Sequence, residues 1–197
     1  MKARILVWLV ALFCCHNVLF AQKEFVNASA RLSGHPRILL QKGEEKALKK
    51  VIMKDAVWKD IHQSLVDEAG EIVKLPLNER IKTGRRLLSV SRENLRRIFI
   101  LSYAYRMTGK NEFLKRAESE MLKAASFSDW NPSHFLDVGE MTMALAIGYD
   151  WLYPQLSVQT KKEIENAIVE KGLRPSFDER YNWFVNAVNN WNQVCHA

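Results

Sequence analysis

The densest group of chemically capable side chains lies at residues 189–197, NNWNQVCHA. On a helix, Asn192 and His196 stand four apart and share a face, so one ligand can meet both. Asn190 would sit at the helix start, where free backbone N–H groups favour an anion such as a carboxylate. Asn amides and a His ring can both supply hydrogen-bond donors. A plainer duty competes: Asn189 or Asn190 caps the helix and His196 points into a core. Cys195 adjoins His196, but neighbours on a helix do not face each other, so no Cys–His nucleophile pair is expected.

His134, Asp137 and Glu140 step three apart along another helical pattern. Three such groups lack a fourth metal ligand and drift around the helix, so no metal site is expected, only a solvated or cleft-lining edge. Arg80, Lys82, Arg85 and Arg86 form one basic cluster, and Arg92, Arg96 and Arg97 a second. Such clusters are usually solvated helix faces. Aromatic residues concentrate late, and sugar rings stack on such side chains. Tyr149 and Trp151 are expected between helices, whereas Trp130, Trp183 and Trp191 lie at or near loops and are the better platforms. No phosphate loop, Cys-x-x-Cys or GxSxG elbow occurs, and no cofactor is implied.

The elements that must carry these groups are helical, with strand patterns nearly absent. Residues 42–53 and 55–73 place apolar side chains three and four apart, with Asp55 a cap for the second. Residues 74–90 fit no single pattern. Ser91 opens a segment closed by Gly109, and its middle is apolar all round, as in a helix buried on several sides. Residues 110–127 read as its amphipathic partner. Residues 133–152, with Ser133 a cap and Pro154 a stop, repeat the buried type, and 157–172 the amphipathic type, with Ser157 a cap and Gly172 a stop. A buried helix followed by an amphipathic one thus occurs twice, as in stacked helical hairpins. The last helix, begun near residue 190, has barely two turns by Ala197, and the chain is expected to be cut within it.

Residues 1–21 have the layout of a secretory signal: a basic start, an apolar run too short to span a bilayer, and Ala21 before Gln22. Cleavage there removes Cys14 and Cys15 and leaves Cys195 alone, so no internal disulfide is expected. It also removes Lys2 and Arg4, lowering the formal charge from +7 to +5. A secreted or periplasmic basic domain, residues 22–197, follows, suited to acidic partners.

Three stretches carry a family resemblance: GHPRILL (34–40), FLDVGEMTMALAIGYDWLY (135–153) and NNWNQVCHA. Together they resemble the heparinase II/III-like polysaccharide lyases and their alginate-lyase and chondroitin AC lyase-like relatives, over about residues 34–197. The resemblance implies an all-α, incomplete α/α toroid of stacked antiparallel hairpins, here only its N-terminal part, truncated. It implies β-elimination on a uronate-containing glycan: the C5 carboxylate is neutralised, a base removes the C5 proton, and an acid protonates the leaving O4. By resemblance, Asn192 and His196 become candidates for carboxylate neutralisation or base. Asn189, Asn190, Trp130, Trp183 and Trp191 become substrate contacts. The basic clusters become a field that draws in substrate. The implied partner is an anionic polysaccharide, with no nucleic acid and no membrane once the signal is gone. The segment alone is expected to be inactive, since the acid Tyr and a further His lie later in the family.

Two rivals remain open. A toroid glycoside hydrolase needs a carboxylate pair flanking the bond, with Asp137 and Glu140 or Asp150 available. A non-catalytic helical-repeat module would only bind partners.

Overall fold

A computed structural model describes residues 34–196; the segment read as a secretory signal, residues 22–33, Ala197 and the His196 side chain lie outside the described residues. From His35 onward the chain forms one compact unit. It is all-α, with no strand among the described residues and only an isolated bridge between Thr83 and Arg86.

Seven α-helices follow in order: α1 (Glu45–Lys54), α2 (Ala56–Lys74), α3 (Leu88–Thr108), α4 (Asn111–Ala125), α5 (Phe135–Leu152), α6 (Val158–Ala167) and α7 (Trp191–His196). Asp55 caps α2 as expected, its Oδ1 accepting from the backbone of Val57 and Trp58. Ser157 caps α6 through Thr160 N–H. Gly109 ends α3 in the left-handed region, φ 73°, where a side chain would be strained.

Three boundaries differ from the sequence patterns. α3 begins at Leu88, so Ser91 is inside the helix, buried, and its hydroxyl bonds back to Leu88 O. His134, not Ser133, precedes α5. Gly172 does not stop α6; a π-helical turn (Ile168–Leu173) and a 3-10 turn (Arg174–Phe177) continue the rod. Gly172 is needed there for proximity, since a Cβ would stand 2.5 Å from Thr142 Oγ1 and 3.2 Å from the Trp130 ring.

The packing is layered. α3, α5 and α7 neighbour one another in that order, and α2, α4 and α6 form the adjoining row. α3 and α5 run parallel: Leu87 meets Asp137, Ser91 meets Glu140, and Ile98 meets Gly148. Both are buried on several sides, as their apolar middles require. Gly148 permits the close approach, because a Cβ there would lie 2.5 Å from Ile98 Cγ2. Trp130, Phe113, Ile98, Met121, Met141 and Leu145 fill the core between the rows.

Two of the family-like stretches prove to be one structural lock. The backbone N–H groups of Arg37 and Ile38 donate to Asp150 Oδ2 at 2.8 and 2.9 Å, and His35 Nδ1 lies 2.5 Å from Oδ1. Trp151 Nε1 donates to Ile38 O. Residues 35–38 are thereby fastened to the C-terminal end of α5, and Trp151 is buried there as expected.

Candidate functional site

The opposite, N-terminal ends of α3, α5 and α7 come together. Three short segments deliver them: residues 83–87, 129–134 and 182–190. Asp137, wholly buried in the first turn of α5, joins the first two. Its Oδ2 accepts from Leu87 N–H and from the Asn131 amide, both at 2.6 Å. Its Oδ1 lies 2.8 Å from His134 Nδ1. A carboxylate at that distance holds the ring in its Nδ1–H form and leaves Nε2 as the acceptor. Asn131 adopts φ 60°, a left-handed conformation that Asn tolerates better than most residues, and its amide also donates to Arg85 O at 2.8 Å.

The expected solvated edge of His134, Asp137 and Glu140 is therefore corrected. His134 and Asp137 form a buried pair, and only Glu140 reaches outward, to Arg92 at 3.1 Å and to Ser91. The spacing of three permitted this pair, but nothing in the sequence said that Leu87 and Asn131 would satisfy a buried carboxylate. Among the described residues no group of His, Cys, Asp and Glu could hold a metal ion.

α7 covers this pair. Trp191 meets the His134 ring edge-on, centroids 4.9 Å apart, and packs against Trp183 at 4.8 Å. Trp183 is 48% exposed, so the two tryptophans form a platform with one open ring. Trp130 does not belong to it. It is 0% exposed, and its indole N–H donates to Ala124 O at 3.0 Å. Loop position misled here, because the loop folds under α5 rather than over it.

The asparagines divide in function. Asn189 caps α7, its Oδ1 accepting from Trp191 N–H at 3.1 Å. Asn192 was expected to present its amide to a ligand. Instead the amide donates to Val185 O at 2.6 Å and, more weakly, to Phe184 O, tying α7 to the preceding 3-10 turn (Asn182–Asn186). Asn190 is exposed, with no side-chain partner among the described residues, which leaves it the freest amide of the three. His196 lies in the last turn of α7, and its side chain is outside the described residues.

Cys195 is half-buried, and burial pushes its thiol up to about 11. It stays a thiol at neutral pH. α7 approaches α5 at Gly139, where a Cβ would lie 3.3 Å from Val194 O. A shallow apolar cleft of about 260 Å³, reaching Cys195, Gly139 and Leu173, runs beside that contact.

The arginines also divide. Arg80 pairs with Asp129, Arg96 with Glu93 and Glu68, and Arg97 with Glu93 and Glu120. These are structural ties rather than a solvated face. Arg85 and Arg86 are exposed and pair with no carboxylate among the described residues. No family model matches the chain, and no curated protein matches it.

Proposed function

We propose that the chain is the N-terminal part of a secreted or periplasmic polysaccharide lyase that acts on a uronate-bearing, anionic glycan by β-elimination. The observation that carries this reading is the open Trp183–Trp191 platform beside the exposed Asn190, joined through His134, Asp137 and Asn131 to the turn that carries the unpaired Arg85 and Arg86. An apolar ring face beside hydrogen-bond donors suits an acidic sugar. The two rows of helices, alternating in direction, are the arrangement that one sector of an incomplete α/α toroid requires, and we take them as such a sector.

In this reading the reacting uronate lies over Trp183, with its carboxylate toward the Asn190 amide and the start of α7. His196 follows on the same short helix and remains the candidate base or neutralising donor. Hydrogen bonding to the carboxylate withdraws charge as the C5 proton leaves, which is where a fixed donor lowers the barrier. Asn189 and Asn192 act one step back, by holding α7 in place. The His134–Asp137 pair lies beneath Trp191 and positions it.

Within this chain, none of the three carboxylates that a hydrolase could use stands free. Asp137 and Asp150 are buried and taken up by backbone N–H groups, so neither is available to flank a glycosidic bond. Glu140 alone is accessible, and it is engaged by Arg92. A hydrolase needs two.

The test is product chemistry. The protein, with whatever sequence follows codon 197 in its gene, is incubated with polyuronate glycans. Appearance of the C4–C5 double bond as new absorbance supports the reading. Release of saturated reducing ends without that absorbance overturns it.

A further inference from the structure

In front of α3 lies a pocket of about 510 Å³, lined by Thr83, Arg85, Arg86, Leu88, Ser89 and Arg92. Three of the six are arginines and none is a carboxylate. We propose that this pocket is a second anion subsite, one that holds an acidic group of the glycan on a sugar other than the reacting uronate. The inference rests on the reading of the ligand as an anionic glycan.

The seven cations of the two sequence clusters set this pocket apart. Arg80, Arg92, Arg96 and Arg97 are all neutralised by carboxylates, and Lys82, exposed and without a carboxylate among the described residues, does not line the pocket. Arg85 and Arg86 are adjacent, exposed and unneutralised among the described residues, although Glu140 lies near enough to hold Arg92. Two neighbouring like charges repel, and an anion between them removes that repulsion.

Their backbone is fixed before any ligand arrives. Thr83 N–H donates to Arg86 O at 2.9 Å and Arg86 N–H to Thr83 O at 3.2 Å, closing a turn around Gly84, φ 60°. Asn131 holds Arg85 O, and Asp137 holds Leu87 N–H. The buried carboxylate that orients His134 thus also pins the arginine turn. A site built this way spends little ordering entropy on binding. Guanidinium forks match the oxygens of a carboxylate or a sulfate ester, and both groups recur along acidic glycans. The N–H groups of Leu88 and Ser89, at the start of a long helix, add to the same field.

The experiment titrates the chain with two oligosaccharides of one uronate backbone, with and without O-sulfates on the intervening sugars. Arg86→Gln is expected to weaken binding at least about tenfold, the change that loss of one charge-assisted hydrogen bond gives. Lys82→Gln removes the same charge outside the pocket lining and is expected to shift binding less than about twofold, since exposed charge is screened. Arg86→Lys, which keeps charge but not the fork, should fall between. Loss confined to the sulfated ligand identifies a sulfate ester as the group held; equal loss on both identifies a second carboxylate. Equal effects of Arg86→Gln and Lys82→Gln, or no effect of Arg86→Gln in a variant whose Tm is unchanged, overturn the subsite. The titration needs no turnover. Subsite loss without any unsaturated uronide from the wild-type protein carrying the sequence that follows codon 197 would retain the subsite and remove the lyase, and elimination by that protein insensitive to Arg86→Gln would do the reverse.

Discussion

His134 Nδ1 stands 2.8 Å from Asp137 Oδ1, while the other oxygen of Asp137 takes the Leu87 and Asn131 donors at 2.6 Å. Three donors converge on this buried carboxylate, two on one oxygen and one on the other, so both oxygens are solvated by the protein. Asp137→Asn keeps the shape but turns an N–H₂ toward one of three donors. We expect a loss of about 3–5 kcal/mol, as when one partner of a buried charged contact is removed. We also expect the His134 ring to lose its Nδ1–H preference. Urea unfolding measures the first and ¹⁵N chemical shifts of the ring measure the second. An unchanged tautomer would show that Asp137 does not orient the ring.

Glu120 is 0% exposed and accepts from Arg97 at 3.0 Å and Arg116 at 2.6 Å. The same two arginines donate to the carbonyls of Val73, Leu75 and Pro76, so they fasten the end of α2 to α3 and α4. Glu120→Ala leaves Arg116 without its anion and Arg97 with Glu93 alone, and is expected to cost about 3–5 kcal/mol. Glu118→Ala, on the same helix and bonded to Thr160, is expected to cost about 1 kcal/mol. Equal losses in thermal unfolding would contradict the network.

Gly148 is a test of the parallel α3–α5 contact. Alanine is favoured over glycine in a helix by about 1 kcal/mol, yet here its Cβ would lie 2.5 Å from Ile98 Cγ2 and 2.6 Å from Met121 Sδ. Met121 can move, but the branched Ile98 on a packed helix cannot easily do so. Gly148→Ala is expected to destabilise by about 1–3 kcal/mol net. Ile98→Ala removes the clashing Cγ2, so Gly148→Ala with Ile98→Ala should cost less than the sum of the two single losses, and a stabilising Gly148→Ala would mean that the helices lie further apart.

Acid should loosen the α3 surface through Glu93. Its hydrogen bond with Arg96, aided by Arg97, holds its carboxyl down at about 2 against an ordinary 4.5. A depressed folded value means that the stabilisation is fully present above pH 4.5 and is lost as pH falls toward 2. Glu93→Gln is therefore expected to be less stable than wild type at pH 7, with the difference shrinking across that window. Urea midpoints measured from pH 7 to pH 2 check this, and a gap that stays constant would deny the shift.

The helices were legible because their signals are local. Asp55, Ser157 and Gly109 act within a few residues, and apolar spacing marked α3 and α5 as buried on two sides. The site was less legible because its partners come from far along the chain. Asp137 finds Leu87 across 50 residues, and Arg80 finds Asp129 across 49, with no spacing rule linking them. Asn192 is a similar case: sharing a helix face with His196 does not reveal that Val185 O lies within reach of its amide.

Trp183 and Trp130 give the clearest contrast between a ligand platform and a core residue. Trp183 is 48% exposed and packs at a tilt against Trp191, whereas Trp130 is 0% exposed, bonds Ala124 O and fills the space against Gly172. Trp183→Ala is expected to leave Tm within a few degrees and to weaken glycan binding by about 0.5–1.5 kcal/mol, the value of one ring contact. Trp130→Ala is expected to cost about 3–5 kcal/mol of stability through the cavity it leaves. At a temperature where that variant is still folded, its glycan affinity should be near wild type. Titration calorimetry beside thermal unfolding separates the two, and a Trp183→Ala variant that binds as tightly as wild type would take the glycan off this platform.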